Sequence, residues 1–582
     1  MMVIRAENVF RLEAPARTLL RRTHAESTCV ALGVGNLLTA TRGATNRRLR
    51  SNMEQLTLSR RRALGLIASG LGTIVAASCG VPAPTTPATS VAGSSPSKPA
   101  PAAASATPQP KTGGTLRYGS DVDVNRLDPH FRLGDVYYTV YDRLTQYDIH
   151  HNVQPMLAES WDVSSDFTTI KFNLRKGVQF HNGTELDATA IKFNSERARD
   201  LPNTQLDEAK WWTSIETPDK YTVIFKSDKP RPLAFDYFEF LNIAEPTSAS
   251  DPTKAVGTGP FKFVEWKQKD SLTLTKNTSY WQSGKPYLDG IVMSVITDPQ
   301  AMVSRFEGGS LDVAINYPVT DFVRLRDDAG YTQYTFSAGN FSCLGMNCQV
   351  APWDNKKARE ALLYAVDRVR WATTVQKGLE DPSTLPWPTT SPAYEEAKSN
   401  AFQFDLEKAA AMLKAAGVTG PVTGDMIMQN SSAELTAFAQ ILQNDFAKLG
   451  VTLTLKPQDQ ASYLDVVNNW RYQGFWLGGG SFAQLDPATA FTKSRALSVT
   501  GNSSAFSAPV NAAAVELVGR ATTEPDSTKR KQLYSDLNDM LLDEVYIICM
   551  SPTANRLITT SKVHGVAPTL HSAQRWWETW LA

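Results

Sequence analysis

Nucleophilic, acid-base or metal chemistry would need a Ser, Cys or His held beside a base or beside further ligands, and this chain offers few such arrangements. No Gly-x-Ser-x-Gly elbow, His-Glu-x-x-His pair or Walker loop occurs in its 582 residues. Gly257-Thr258-Gly259-Pro260 comes nearest to a phosphate loop, but it lacks a third glycine, and Pro260 interrupts the helix such a loop should open. It reads as a structural turn. His181-Asn182-Gly183-Thr184 is a turn between a strand and a helix capped near Asp187, and His181 has no paired nucleophile nearby in sequence. Glu307-Gly308-Gly309-Ser310-Leu311-Asp312 has one Glu and one Asp without alternating oxygen ligands. It reads as a helix C-cap followed by a strand rather than a metal loop.

Of the five cysteines, Cys29 and Cys79 fall in the N-terminal region, leaving Cys343, Cys348 and Cys549 in the body. An odd number makes no complete disulfide framework, and no His cluster near Cys343 and Cys348 completes four zinc ligands. Buried thiols are expected, with a single 343–348 bridge as the alternative, and no metal or cofactor site is expected.

Aromatic residues and glycines supply binding chemistry instead. Tyr137 and Tyr138 lie before Tyr141-Asp142, and a second stretch runs from Trp470 through Gly474, Phe475, Trp476, Gly478 and Gly479 to Phe482. Aromatic walls and glycine-exposed backbone can hold varied ligands through stacking and main-chain hydrogen bonds. These residues are the candidate opposing walls of a cleft, and packing into a core is the competing explanation for each aromatic.

The elements that would position them read as mixed α/β. Alternation at Ile170, Phe172 and Leu174, at Tyr221, Val223 and Phe225, at Leu272 and Leu274, at Ile291, Met293 and Val295, and at Val451, Leu453 and Leu455 predicts strands. Helical spacing appears in Leu362, Ala365, Val366 and Val369 after an Asp354 cap, and in Leu406, Ala410 and Leu413 between Asp405 and Gly417. Leu435, Phe438, Leu442, Phe446 and Leu449 predict a helix that stops at Gly450 and runs straight into a strand. Repeated α-to-β units indicate layered α/β domains.

Charge separates the ends of the chain. Residues 1–78 carry 12 Arg, no Lys and four Glu, whereas the remaining residues hold 47 bases against 54 acids. That acidic body has no basic excess for a nucleic-acid face. From Met53, three arginines precede the 16-residue apolar stretch Ala63 to Ser78, the pattern of an export signal over 53–78, too short for a spanning helix. The arginine-rich residues 1–52 read as an upstream extension from a start assigned too early. Ala76-Ala77-Ser78-Cys79 resembles a lipobox, which makes Cys79 the expected lipidation site, and Ser59-Arg60-Arg61-Arg62-Ala63-Leu64 resembles a twin-arginine signal. The Pro, Ala, Ser and Thr that dominate residues 80–112 cannot bury a core and form an extended tether. Acyl chains on Cys79 would hold the protein at a membrane surface, on the outer face of the cytoplasmic membrane or in the periplasm.

Seven segments then resemble one family in its own order: Leu127 to His130, Leu157 to Trp161 with Ile170 to Thr184, Gly257 to Trp266, Tyr280-Trp281 with Leu288 to Gly290, Asp354 to Arg368, Asp486-Pro487, and Leu533 to Met550. The family is that of the family 5 extracellular solute-binding proteins, the dipeptide- and oligopeptide-binding receptors of ABC importers, and the resemblance covers essentially 113–582. It implies a two-lobed α/β fold of the periplasmic-binding-protein type II, with an extra subdomain in lobe one. It also implies no chemistry on the ligand and the permease subunits of an importer as partners. Lobe one would comprise 113–340 plus 551–582 and lobe two 341–550, with crossings near Phe341–Asn347 and Val545–Met550. In peptide-binding relatives an aspartate soon after a Gly-Trp segment pairs with the ligand's α-amino group. That position here falls on Gly478 or Gly479, and the next acid is Asp486. A monomeric peptide-type receptor is therefore expected, with a blocked peptide, a sugar or another neutral solute as alternative ligands. A sensor docking on a membrane signalling protein and a surface hydrolase are the alternative functions.

Overall fold

A computed structural model describes residues 109–582, apart from 125, 132–134, 203–205, 252, 507–509 and 570–572. The export signal, Cys79 and nearly all of the tether lie outside the described residues. Among the described residues, no helix is long and apolar enough to cross a membrane.

Each predicted strand forms. Thr169–Leu174, Thr222–Lys226, Ser271–Lys276, Gly290–Val295 and Val451–Gln458 all bury alternate positions on one face. Ten strands join in one sheet. Its order is Val451–Gln458, Val422–Gln429, Gly474–Gly480, Tyr331–Met346, Ile547–Thr560, Val313–Ile315, Thr115–Ser120, Gly290–Val295, Ser271–Lys276 and Phe261–Lys267. The two longest members, Tyr331–Met346 and Ile547–Thr560, pair antiparallel in the middle and carry the sheet from one half to the other. A separate antiparallel sheet of four strands, Ala158–Val163, Thr169–Leu174, Thr222–Lys226 and Ser214–Asp219, is covered by the helix Ala188–Asp200.

The helix-to-strand unit closes as its spacing predicts. The helix Ala433–Lys448 buries Phe438, Leu442 and Phe446, the chain reverses at Gly450 with φ of 78°, and Val451 enters the sheet parallel to Val422. Only a residue tolerant of the left-handed region makes that turn without strain.

Two helical readings need correction. Asp354 does not cap the helix near 360: Asn355 does, accepting from the Lys357 amide at 3.0 Å, and the helix Lys356–Leu362 stops where continuous spacing would carry it to Val369. The buried Arg368 guanidinium takes the Leu363 carbonyl at 3.0 Å and the Cys549 carbonyl at 2.8 Å, and Asp367 caps a new turn by accepting from the Arg370 amide. The Arg368 guanidinium thus satisfies a carbonyl left without a partner at the helix end, and Val369 ends up exposed. In the helix Leu406–Ala415 the buried stripe uses Ala409 and Leu413, while Ala410 faces solvent.

Among the described residues, five buried clusters fill the body. One takes its residues from 344–550, and another spans Leu116 to Ile315 with Leu557, Val563 and Trp576 returning from the C-terminal end. A smaller one runs from Ile296 to Leu325 with Ile558. The four-stranded sheet and its helices bury a cluster from Leu144 to Ile243 that also admits Leu485. The cluster on the other side of that contact, drawn from 341–549, admits Leu233.

Candidate functional site

The Gly474–Gly480 strand runs parallel to Val422–Gln429 and antiparallel to Tyr331–Met346. Its alternation sends Phe475 to one face, against Trp353 and Phe446 at 4.8 and 5.3 Å between rings, and Trp476 to the other. Trp476 donates its indole N–H to the Ser504 hydroxyl at 3.1 Å and lies over Gly345, where any Cβ would stand 2.1 Å from the ring. Gly474, at φ 130°, approaches the Asp425 carbonyl so closely that a Cβ would fall 2.7 Å from it. Gly478 faces the hydroxyl of Tyr463, 2.2 Å from where its Cβ would be, and Gly479 is exposed.

Phe482 follows at φ 70°, half-buried against both clusters that meet here, with Phe240 edge-on at 6.1 Å. Trp470 is 41% exposed, at φ 57°, and donates its indole N–H to the Asn502 carbonyl at 2.8 Å. Tyr137 and Tyr138 stand elsewhere, on the short helix Asp135–Val140. The Tyr137 hydroxyl donates to the Arg126 carbonyl at 2.5 Å, and its ring belongs to the cluster around Leu116 and Phe261. Tyr138 is fully buried beneath the Arg143 guanidinium, 4.0 Å from its ring. The structure thus brings Gly474, Phe475, Trp476, Gly478 and Gly479 together on one strand, leads it to Phe482, and packs the two tyrosines and the Phe475 and Trp476 rings as core.

Sequence reasoning missed the polar contact beside Phe482. The Asp486 amide donates to Asp236 Oδ2 at 3.2 Å, and Asp236 Oδ1 accepts from the Tyr147 hydroxyl at 2.9 Å. The Asp486 carboxylate accepts from the Ala488 amide and the Tyr534 hydroxyl, with Arg530 Nε at 3.8 Å. Burial, and then the neighbouring Asp236 carboxylate, push the Asp486 carboxyl up to about 7, and Asp236 is also raised by burial. Nearby, Lys493 and Glu208, both nearly buried, pair at 2.7 Å. One signal for these groups lay in the sequence: Asp236 and Glu239 sit inside the apolar run Leu233 to Ala244, where charges need a structural reason.

The turns behave as read. Gly257 and Gly259 tuck beneath the Val140 carbonyl, where a Cβ would come within 2.2 and 2.6 Å of its oxygen. His181 faces the Gly259 carbonyl at 3.0 Å, and burial pushes its imidazole down to about 4. Among the described residues, no group of three or more His, Cys, Asp or Glu could hold a metal, and Cys343, Cys348 and Cys549 are all free.

The model of the bacterial extracellular solute-binding proteins, family 5 middle region, matches residues 152–498, more than half of the chain. The chain belongs to this family. A di/tripeptide-binding protein 1 of Pseudomonas aeruginosa (strain UCBPP-PA14) is 28% identical over 448 residues, 70% of this chain and 82% of that protein. The dipeptide-binding protein of Escherichia coli (strain K12) is 25% identical over 475 residues, 74% and 88% of the two chains. Among solved structures, the PBP AgaA in complex with agropinic acid, from A.tumefacien R10, superposes with a TM-score of 0.71 at 26% identity, covering 81% of this chain and 99% of that one. The body therefore has the mixed α/β periplasmic-binding-protein fold. Family 5 proteins are non-catalytic receptors, and this one is the solute-binding component of an ABC importer.

Proposed function

We propose that the protein captures a peptide-like solute that presents no free α-ammonium group to the second half of the sheet, and delivers it to the importer's permease subunits. The observation that carries this reading is the fate of the nearest carboxylate. Positions 478, 479 and 480 are glycines, and the Asp486 carboxylate is largely covered and already engaged by Tyr534, Arg530 and the helix that follows it. An ammonium taken into a closed site without a counter-charge would cost several kcal/mol, so a blocked peptide, a sugar or another neutral solute suits this strand better. The relatives named for di- and tripeptides and the AgaA complex with agropinic acid support a small polar ligand class.

In this reading the ligand lies between a lobe of 113–340 plus 551–582 and a lobe of 341–550, with the exposed backbone of Gly479 and the ring of Phe482 on the second lobe's wall and Gly478 buried behind them against Tyr463. The division of buried residues supports it, since the clusters separate along those limits except at Leu233 and Leu485. Trp470, half-exposed on the same lobe, belongs to this wall. Tyr137 and Tyr138 would support the first wall from beneath. Export by the 53–78 signal and acylation of Cys79 would place the receptor at the outer face of the membrane.

Calorimetric titration with dipeptides, N-acetylated dipeptides and oligosaccharides tests the ligand class. Binding of an N-acetylated peptide or an oligosaccharide, equal to or tighter than that of the free dipeptide, is expected. Tight dipeptide binding lost on N-acetylation would show that another acid meets the ammonium and would overturn the reading.

A further inference from the structure

In the antiparallel pairing of Tyr331–Met346 with Ile547–Thr560, Cys343 stands directly opposite Cys549. Residues directly opposite in such a ladder have Cα atoms about 4.5–5.5 Å apart and project from the same face. That separation falls inside the range of roughly 4.4–6.8 Å that a disulfide spans. Both side chains are buried, in the same apolar cluster. The ladder shifts register between Ser342 and Cys343, so the backbone beside the pair is already irregular and can absorb a small adjustment. Cys348 is placed differently: it lies beyond the strand end, half-buried, with its sulfur 3.6 Å from the Met346 carbonyl.

We propose that Cys343 and Cys549 form a cross-strand disulfide, made by exchange with a disulfide-bearing oxidant of the export compartment. The thiolate of one cysteine attacks a sulfur of the donor disulfide, forming a mixed disulfide and releasing one donor thiolate. The second cysteine's thiolate then attacks the protein sulfur of that mixed disulfide, the Cys343–Cys549 bond forms, and the second donor thiolate leaves. The two protein thiols lose two protons and two electrons, and the donor gains both. Burial raises both thiols in the folded protein, Cys549 to about 12. Exchange therefore proceeds while the chain is folding, before the pair is enclosed, and the finished bond is shielded from reductants. Because Cys343 also pairs with Gly478, the bond fixes the strand on which the candidate site strand lies.

The test is to refold the reduced, denatured full chain in a buffer of oxidised and reduced glutathione, alkylate it, digest it and identify linked peptides by mass spectrometry. The expected result is one bridge joining the peptides that contain Cys343 and Cys549, a protein mass lower by two hydrogens, and Cys348 alkylated. The unfolding midpoint should fall when the bond is reduced. Cys343→Ala or Cys549→Ala should abolish the bridge, and Cys348→Ala should retain it. If an alanine variant fails to fold, the peptide map of the unmodified chain still decides. Full alkylation of Cys343, Cys348 and Cys549 after refolding to native circular dichroism, or a bridge through Cys348, Cys79 or Cys29, would overturn the proposal.

Discussion

Asp486 is the residue on which the site chemistry and the packing meet. The Asp486 carboxyl is raised by its nearly buried setting and by the negative Asp236 carboxylate, which accepts from the Asp486 amide, so the folded state retains a proton that the unfolded chain gives up near its ordinary value of 3.8. A raised acid stabilises the fold fully below that ordinary value, and its contribution is lost as the pH rises through about 7. The buried neutral imidazoles of His130 and His181, both pushed down to about 4, act in the opposite sense: their contribution is lost as the pH falls through about 4. The measurement must therefore be a difference. The unfolding midpoint of the wild type minus that of Asp486→Asn should decline between pH 4 and 7 and level off above it; a flat difference would show that the fold does not raise the Asp486 carboxyl.

At the scale of elements, two short signals carry weight out of proportion to their length. Gly257 and Gly259 press on the last turn of the helix Asp135–Val140, and the atom a Cβ would strike is a backbone carbonyl, which cannot rotate aside. Gly257→Ala should cost about 3 kcal/mol or more of unfolding free energy in urea, the overpacking range plus backbone displacement. A loss below about 1 kcal/mol would mean that the turn yields easily. Asp187 caps the helix Ala188–Asp200 by accepting from the amides of Thr189 and Ala190, both at 3.0 Å. Asp187→Ala should cost about 1 kcal/mol by the same assay, with Asp187→Ser recovering most of it.

Over the whole molecule, the contact between the four-stranded-sheet region and the 481–493 segment is tied by Glu208 and Lys493, with Phe240 and Phe482 beside the ammonium at 5.9 and 5.7 Å. Removing one partner of a buried pair leaves the other's charge poorly compensated. Glu208→Gln should therefore lower unfolding free energy by about 3 kcal/mol and enlarge the radius of gyration in small-angle scattering. Neither change appearing would mean that the apolar contacts alone hold this junction. The proposed lipid anchor is tested on the whole chain too. Cys79→Ser should release the exported protein from the membrane fraction without altering its circular dichroism; continued retention would sink the lipid-anchor reading.

Local physics made much of this protein legible from its residues alone. Period-two runs such as Ile170, Phe172 and Leu174 became strands, Gly450 ended a helix because its left-handed turn tolerates few other residues, and the glycines and proline at 257–260 formed a turn. Each depends on neighbours within a few positions. The family resemblance was equally readable, because it rests on segment order. What tertiary structure alone decided depends on partners far away in sequence. Arg368 placed its guanidinium on the Cys549 carbonyl, 181 positions on, beyond the end of a helix, the Asp486 amide met Asp236 across 250 positions, and Cys343 found Cys549 rather than Cys348 as its register partner. The aromatic pattern could not separate core from cleft, since a Trp476 that packs on Gly345 and a Trp470 that faces solvent share the same local composition. Burial is a property of what the rest of the chain brings to them.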